Sequence, residues 1–275
     1  MKIIYILYKK NLTQIKKYYI EHKTNLEYIE QFFSNKFKFI YLSDEDIEIQ
    51  NLTNKIIIIG MQSSNFLYKP KSNNNIIYFD REYTNFGKIA SNKYKTFKYL
   101  NKHNIDTIPT SLYKSIKENK YPFILKDIEG YNGNNVFLVK NKNTLKNLLS
   151  KYKEINFIQQ PFIQNSIGID IRIFIINNKI FSYKRINKND FRSNITLGSS
   201  IEKYTLNKFQ FKSVLNLLKH LNNDFIIENK LIGIDIFDDD KFKIIELNSN
   251  PGFFALIKLF KEEFKTELSK FLKLN

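Results

Sequence analysis

Three of the four arginines in this chain, Arg172, Arg185 and Arg192, fall in one short segment, while forty lysines are spread from end to end; the fourth is Arg81. In a composition so biased towards Lys, Asn and Ile, arginine should persist where its planar five-donor fork cannot be replaced by a lysine point charge. Such a segment is suited to gripping an anion bidentately. A solvated hairpin explains any one of the three; three together favour the anion.

A second set of residues offers oxygen. Asp235 is bracketed by Ile234 and Ile236, where an unpaired aspartate would be costly to bury, and Glu246 and Asn248 are two apart, hence on one face of a strand. Three such ligands converging from neighbouring strands suit Mg²⁺, which completes its shell with phosphate and water. Asp238, Asp239 and Asp240 read as turn acids and are given no function. A third feature is the run Glu129-Gly130-Tyr131-Asn132-Gly133-Asn134-Asn135, whose glycines and asparagines tolerate left-handed backbone. Its amides are able to turn inward around phosphates, although such a string is more often a simple hairpin loop.

The elements that must position these groups follow from periodicity. Ile171, Ile173 and Ile175 alternate with Asp170, Arg172 and Phe174, and Asn177-Asn178 makes a two-residue turn before a return strand over 179–185. That hairpin is expected to bring Arg172 and Arg185 close, with Asp190-Phe191-Arg192-Ser193-Asn194 beyond it. Strands are predicted at 122–126, 135–139, 157–160, 232–237 and 242–247, and helices at 143–152, 207–221 and 253–272. Before them stands a small α/β unit: strands at 2–8, 37–42, 55–59 and 76–79, helices at Leu12–Ile20 and Asn25–Phe33, and a loop at Pro70–Asn75. One lysine-laced helix is expected from Asn85 to about His103, followed by an extended Ile108-Pro109-Thr110.

At 275 residues, 43% apolar and 15% aromatic, the chain can bury a large core. It has no cysteine, so disulfides and thiolate chemistry are excluded, and His22, His103 and His220 lack metal-ligand spacing. The longest aliphatic run, Ile56 to Ile59, is far short of a membrane span, and the start reads as a strand rather than a signal peptide. A cytoplasmic location is the expectation. The charge of +17 would suit nucleic acid, but the lysines are dispersed, so it is weak evidence.

The order of the motifs resembles the ATP-grasp superfamily, specifically its RimK-like branch of carboxylate-amine ligases. It runs from Lys93 through Lys126 with its glycine loop, Gln160-Pro161-Phe162-Ile163, Asp170-Ile-Arg172 and Asp190-Phe-Arg-Ser-Asn194 to Asp235 and Glu246-Leu-Asn248 with Asn250-Pro251-Gly252. The resemblance covers roughly residues 85–260. It implies an ATP-grasp fold of two α+β subdomains gripping ATP, with residues 1–84 as a Rossmann-like pre-ATP-grasp domain. The ATP-grasp part, 85–275, would divide into a lid at about 105–163 and a C-terminal part at about 164–275. It further implies that Lys93 and Lys126 contact nucleotide phosphates and that Glu129, Gly130 and Gly133 belong to a flap closing over them. Gln160 to Ile163 would read adenine, Asp170 would sit beside the ribose, and Arg172 and Arg192 would hold phosphate or acyl-phosphate oxygens. Asp235, Glu246 and Asn248 would bind Mg²⁺, with Mn²⁺ an admissible substitute.

Two positions depart from the family. Pro161 replaces an acidic hinge residue and keeps only its carbonyl, and Asn135 replaces a flap glycine and must adopt the same backbone region at some cost. The reaction implied is phosphorylation of a carboxylate by ATP and attack of an amine on the acyl phosphate, giving an amide or peptide bond. Arg185, with Asn194 beside it, is the candidate for substrate contact, which would make that substrate anionic. The competing reading, of equal weight, pairs Arg185 with an acid such as Asp190. The other classes kept open are a basic nucleic-acid-binding module and an ATP-binding scaffold without catalysis. Partners are otherwise small carboxylate and amine substrates, with no membrane, and the composition is compatible with a homo-oligomer.

Overall fold

The computed structural model describes residues 2–8, 25–43, 56–59, 75–78, 84–113, 120–225, 231–239 and 241–272. The helix expected at Leu12–Ile20, Arg81 and all but the last residue of the Pro70–Asn75 loop lie outside the described residues.

The described residues form three sheets, of which the first is parallel, in the order β2-β1-β3-β4: β1 (Lys2–Tyr8), β2 (Phe37–Ser43), β3 (Ile56–Ile59) and β4 (Asn75–Tyr78). Parallel neighbours need a crossover, and α1 (Asn25–Phe33) lies in the one between β1 and β2, burying Leu26, Ile29 and Phe33 on one helical stripe.

The single helix expected from Asn85 is in fact two, α2 (Asn85–Ala90) and α3 (Lys93–Lys102). Between them Asn92 is extended, at φ −121° and ψ 109°, and its side-chain oxygen accepts a hydrogen bond from the Lys95 amide at 3.0 Å. Ser91-Asn92 is thus an N-capping signal inside the lysine pattern, and Lys93 becomes the first residue of a helix. The chain beyond α3 is pinned to the third sheet: the Ile244 amide donates to Asp106 O at 3.0 Å, and the Thr107 hydroxyl and Ile108 amide donate to Ile244 O.

A small antiparallel sheet follows, β5 (Ser111–Leu112), β6 (Phe123–Asp127), β7 (Val136–Val139) and β8 (Phe157–Pro161), in the order β5-β8-β6-β7. Its apolar face packs on α4 (Lys142–Lys151) through Phe123, Leu125, Val139, Leu145 and Phe157.

The third sheet, antiparallel throughout, runs β11-β10-β9-β12-β13: β9 (Ile169–Ile176), β10 (Lys179–Ile186), β11 (Ser200–Lys203), β12 (Leu231–Phe237) and β13 (Ile244–Asn248). The hairpin turn is Asn177-Asn178, with Asn177 at φ +54°. The alternation holds. Ile171, Ile173 and Ile175 face α5 (Lys208–Phe225) with Ile232, Ile234 and Ile236, while Phe174 and Ile176 face α6 (Phe254–Phe271). That second core also contains Ile4, Ile6, Ile29 and Phe33, so the parallel sheet and the third sheet share one apolar interior. β11 was not foreseen: it is a short edge strand, largely exposed and without alternation.

Candidate active site

The face of the third sheet that buries Phe174 and Ile176 at one end carries Asp170 and Arg172 at the other, because the side-chain period is two. Register then fixes the neighbours. Tyr183, Arg172, Asp235 and Glu246 form one row across β10, β9, β12 and β13, and Arg185 stands opposite Asp170 in the next.

These pairs are ion pairs. The Arg172 guanidinium engages both oxygens of Asp235, Nη2 to Oδ2 at 2.8 Å. Arg185 does the same to Asp170, Nε to Oδ1 at 2.6 Å, and reaches Asp235 Oδ2 at 3.0 Å. All four are buried; Arg185 is 4% exposed. Burial raises the Asp170 carboxyl, and the Asp235 charge adds to it, more than Arg185 lowers it. Burial pushes Asp235 the same way, but Arg172 and Arg185 together override it and hold that carboxyl below its usual range. The two acids are thus driven apart, and Asp235 is the one kept firmly ionised.

Gly168, at φ +68°, brings the arginine loop to this row. A Cβ there would lie 2.2 Å from Asn187 O, and the Gly168 amide donates to Phe191 O at 2.9 Å. Arg192, on that loop, takes both oxygens of Asp190 and donates from Nη1 to Gly133 O at 2.9 Å. Asp190 therefore belongs to Arg192. Of the two readings of Arg185, the pairing with an acid is the one seen, but the acid is not Asp190: strand register gives Arg185 a partner directly across the ladder, Asp170.

The small sheet faces this row with Lys126, whose ammonium is lowered to about 8 by burial and by Lys93, against the pull of Glu246, Asp235 and Asp170. The loop over 128–135 joins the two sides. Its Gly130 carbonyl accepts from Lys93 Nζ, its Gly133 carbonyl from Arg192, and its Asn132 carbonyl from the Thr196 hydroxyl at 3.3 Å, while Glu129 accepts from Asn92 Nδ2 at 3.2 Å. Carbonyls rather than amides meet the cations here. Asn132 and Asn135 take φ of +55° and +53°, so asparagine does adopt the conformation a flap glycine would. Gly133, at φ +74°, has no room for a side chain, since Asn194 Oδ1 lies 2.6 Å from where its Cβ would be.

One cleft between the two antiparallel sheets is lined by Lys93, Lys126, Gly130, Gly133, Gln160 to Ile163, Asp170, Arg185, Arg192, Asn194, Asp235 and Glu246. Of the residues singled out from sequence, Glu129, Arg172 and Asn248 are not on that wall; Arg172 stands beside Asp235 on the neighbouring strand, and Asn248 two residues beyond Glu246. Ser166 and Phe191 also line it and were not foreseen; Phe191 meets Phe162 edge to face at 6.4 Å, and aromatic identity within the D-F-R-S-N run was the available signal.

Two buried side-chain atoms at or next to the cleft have no hydrogen-bond partner among the described residues. Gln160 donates from Nε2 to the Thr110 hydroxyl at 2.8 Å, but its Oε1, on the cleft wall, has no partner, and neither has Asn248 Nδ2. An adenine amino group would satisfy the first. The hard oxygens of Asp235, Glu246 and Asn248 match Mg²⁺ chemically. Among the described residues no trio of His, Cys, Asp or Glu is able to hold a metal alone, so an ion here would need Asn248 and phosphate oxygens besides the two carboxylates.

Comparison with known proteins places this geometry. The model of the RimK-like ATP-grasp domain matches residues 90–272. The chain is 28% identical over 227 residues to the Uncharacterized protein MG011 of Mycoplasma genitalium, covering 80% of this chain and 75% of that one. It is 28% identical over 178 residues to the coenzyme gamma-F420-2:alpha-L-glutamate ligase of Methanocaldococcus jannaschii, covering 60% and 59%. The D-alanine-D-alanine ligase structure from Helicobacter pylori superposes with a TM-score of 0.65 over 99% of this chain and 98% of that one, at 16% identity. The fold is that of ATP-grasp enzymes, and the chain belongs to the RimK-like ATP-grasp family of ligases.

Proposed function

We propose that this chain is an ATP-dependent carboxylate-amine ligase that makes an amide or peptide bond through an acyl phosphate, with an amino acid or peptide among its substrates. The observation that carries the reading is the cleft itself, which brings Lys93, Lys126 and Arg192 together with Asp170, Asp235 and Glu246. A carboxylate is a poor acyl donor, so transfer of a phosphoryl group from ATP is what makes attack by an amine feasible. Lys93, Lys126 and Arg192 would neutralise charge on the transferring group, and Gln160 to Ile163 would seat the adenine. Asp170 would stand beside the ribose, and Asn194, against the flap, beside the substrate. Mg²⁺, held by Asp235, Glu246 and Asn248, would supply charge neutralisation at phosphate oxygens. Arg172 and Arg185 would act by fixing Asp235 and Asp170; with both guanidiniums engaged by aspartates, an anionic second substrate is not required. In this reading residues 1–84 form a pre-ATP-grasp unit and 85–275 the ligase unit. No described helix is long and apolar enough to cross a membrane, and the cysteine-free composition suits the cytoplasm.

The test is incubation with ATP, Mg²⁺ and pools of amino acids and short peptides, with ADP and phosphate measured and adducts sought by mass. Pool-dependent ADP release is expected. Glu246→Ala should abolish it while leaving the melting transition in place; full turnover in that variant would remove Glu246 from the site.

A further inference from the structure

Asn25 stands at the start of α1, and its carboxamide is engaged by one loop more than two hundred residues away in sequence. Nδ2 donates to Asn250 Oδ1 at 2.9 Å and to Pro251 O at 3.1 Å, and Oδ1 accepts from the Phe253 amide at 3.0 Å. That loop leaves β13 immediately after Glu246 and Asn248. It also presses on β12: a Cβ on Gly233 would lie 2.9 Å from Pro251 Cβ, 3.2 Å from Asn248 Cβ and 3.2 Å from Arg172 Nη1. Pro251, Asn248 and Arg172 therefore converge on one bare α-carbon, and the outer side of the loop is held by Asn25.

We propose that Asn25 is a positioning residue of the ligase, clamping the Asn250–Phe253 loop so that Asn248 and Arg172 keep their places beside Asp235. The proposal rests on the ligase reading for its kinetic consequence, and on the hydrogen bonds alone for its structural one. Helix docking does not depend on the clamp, because Leu26, Ile29 and Phe33 bury α1 in the same apolar core that holds Phe253, Phe264 and Leu268. Removing the carboxamide should release the loop without detaching the helix.

Two variants separate positioning from general destabilisation. Asn25→Ala removes all three bonds. Asn25→Asp keeps the shape and the acceptor for Phe253 but sets an oxygen against Asn250 Oδ1 and Pro251 O. In Asn25→Ala, amide exchange at Phe253 should accelerate while exchange within β9 and β12 stays at the parent rate; in Asn25→Asp the Phe253 amide keeps its acceptor and should exchange near the parent rate. Turnover should fall about tenfold to a hundredfold with the KM for ATP nearly unchanged, as for supporting groups around a reacting centre. Ser34→Ala, exposed just past the end of the same helix, should match the parent in both readouts. Parent-like exchange at Phe253 in Asn25→Ala would overturn the clamp, and so would faster exchange there with parent turnover, or parent turnover in both variants. Should the parent release no ADP with any pool, the ligase reading falls while the exchange measurement still decides the clamp.

Discussion

Arg172 and Arg185 on the third sheet differ from Arg192 on the neighbouring loop in how they are held, although all three grip aspartate. The sheet arginines are buried and bind acids on other strands, Asp235 and Asp170, at positions dictated by ladder register. Arg192 keeps 26% of its side chain exposed and binds Asp190, two residues away, together with a flap carbonyl. A pair imposed by strand register has no alternative geometry short of unfolding the sheet, whereas a local pair at a solvent boundary can exchange one anion for another. The arginine cluster is thus two devices, a fixed frame and an exchangeable hand.

The largest effect should come from breaking the frame. Arg185→Ala leaves Asp170 and one face of Asp235 as buried unpaired charge and should cost roughly 3–5 kcal/mol of stability in urea denaturation. Replacing Arg185 and Asp170 together by apolar residues of similar volume should recover most of that. A single variant as stable as the parent would put Arg185 in the same class as Arg192.

Arg192→Lys probes the hand. Stability should change by less than about 1 kcal/mol, because this pair is part-exposed. Turnover should fall roughly 100-fold with ATP binding nearly intact, since a lysine keeps the charge and loses the fork. Equal turnover in Arg192→Lys and the parent would mean that the loop arginine merely latches the flap. Arg81→Lys is the comparison outside the cluster and should behave as the parent in both measurements.

The last effect is a pH dependence set by Lys126. With Lys126 at about 8 in the folded chain against 10.5 for a free side chain, the folded form releases its proton first. The burial of this charge therefore costs stability below about pH 8, and that cost disappears as pH rises from there through 10.5. Phosphate binding has the opposite sign, because the cation is lost above pH 8. The affinity for ADP, measured by calorimetry from about pH 7 to about pH 9.5, should weaken by at most about tenfold per unit above the folded value. A flat profile would take Lys126 away from the phosphates.

What was legible in the chain was local. The alternation of Ile171, Ile173 and Ile175 with Asp170, Arg172 and Phe174 set the hairpin and its two faces, and the spacing of Glu246 and Asn248 set their common side. Ser91-Asn92 carried a capping signal that the lysine pattern obscured. What was not legible depended on register between distant strands: that Arg172 meets Asp235 and Arg185 meets Asp170 follows from the pairing of β9 with β12 and β10, which no spacing encodes. The same holds for Asn25 on its loop. It holds too for His103 and His220, far apart in sequence yet with ring centres 4.4 Å apart between α3 and α5.

The hydrogen bonds that pin residues 106–108 to Ile244 give the two antiparallel sheets a fulcrum. Any opening of the small sheet has to be taken up beyond Ile108 on one connection and between Phe162 and Gly168 on the other. Glu246 sits two residues from the pinned Ile244 and has a short lever arm, whereas Lys126 and the flap are at the far end of a long one. Opening would therefore withdraw Lys126 and leave in place both the carboxylates and Lys93, whose helix precedes the pin and packs in the core of the third sheet, so that a nucleotide bound as proposed would lose its contact with Lys126 first.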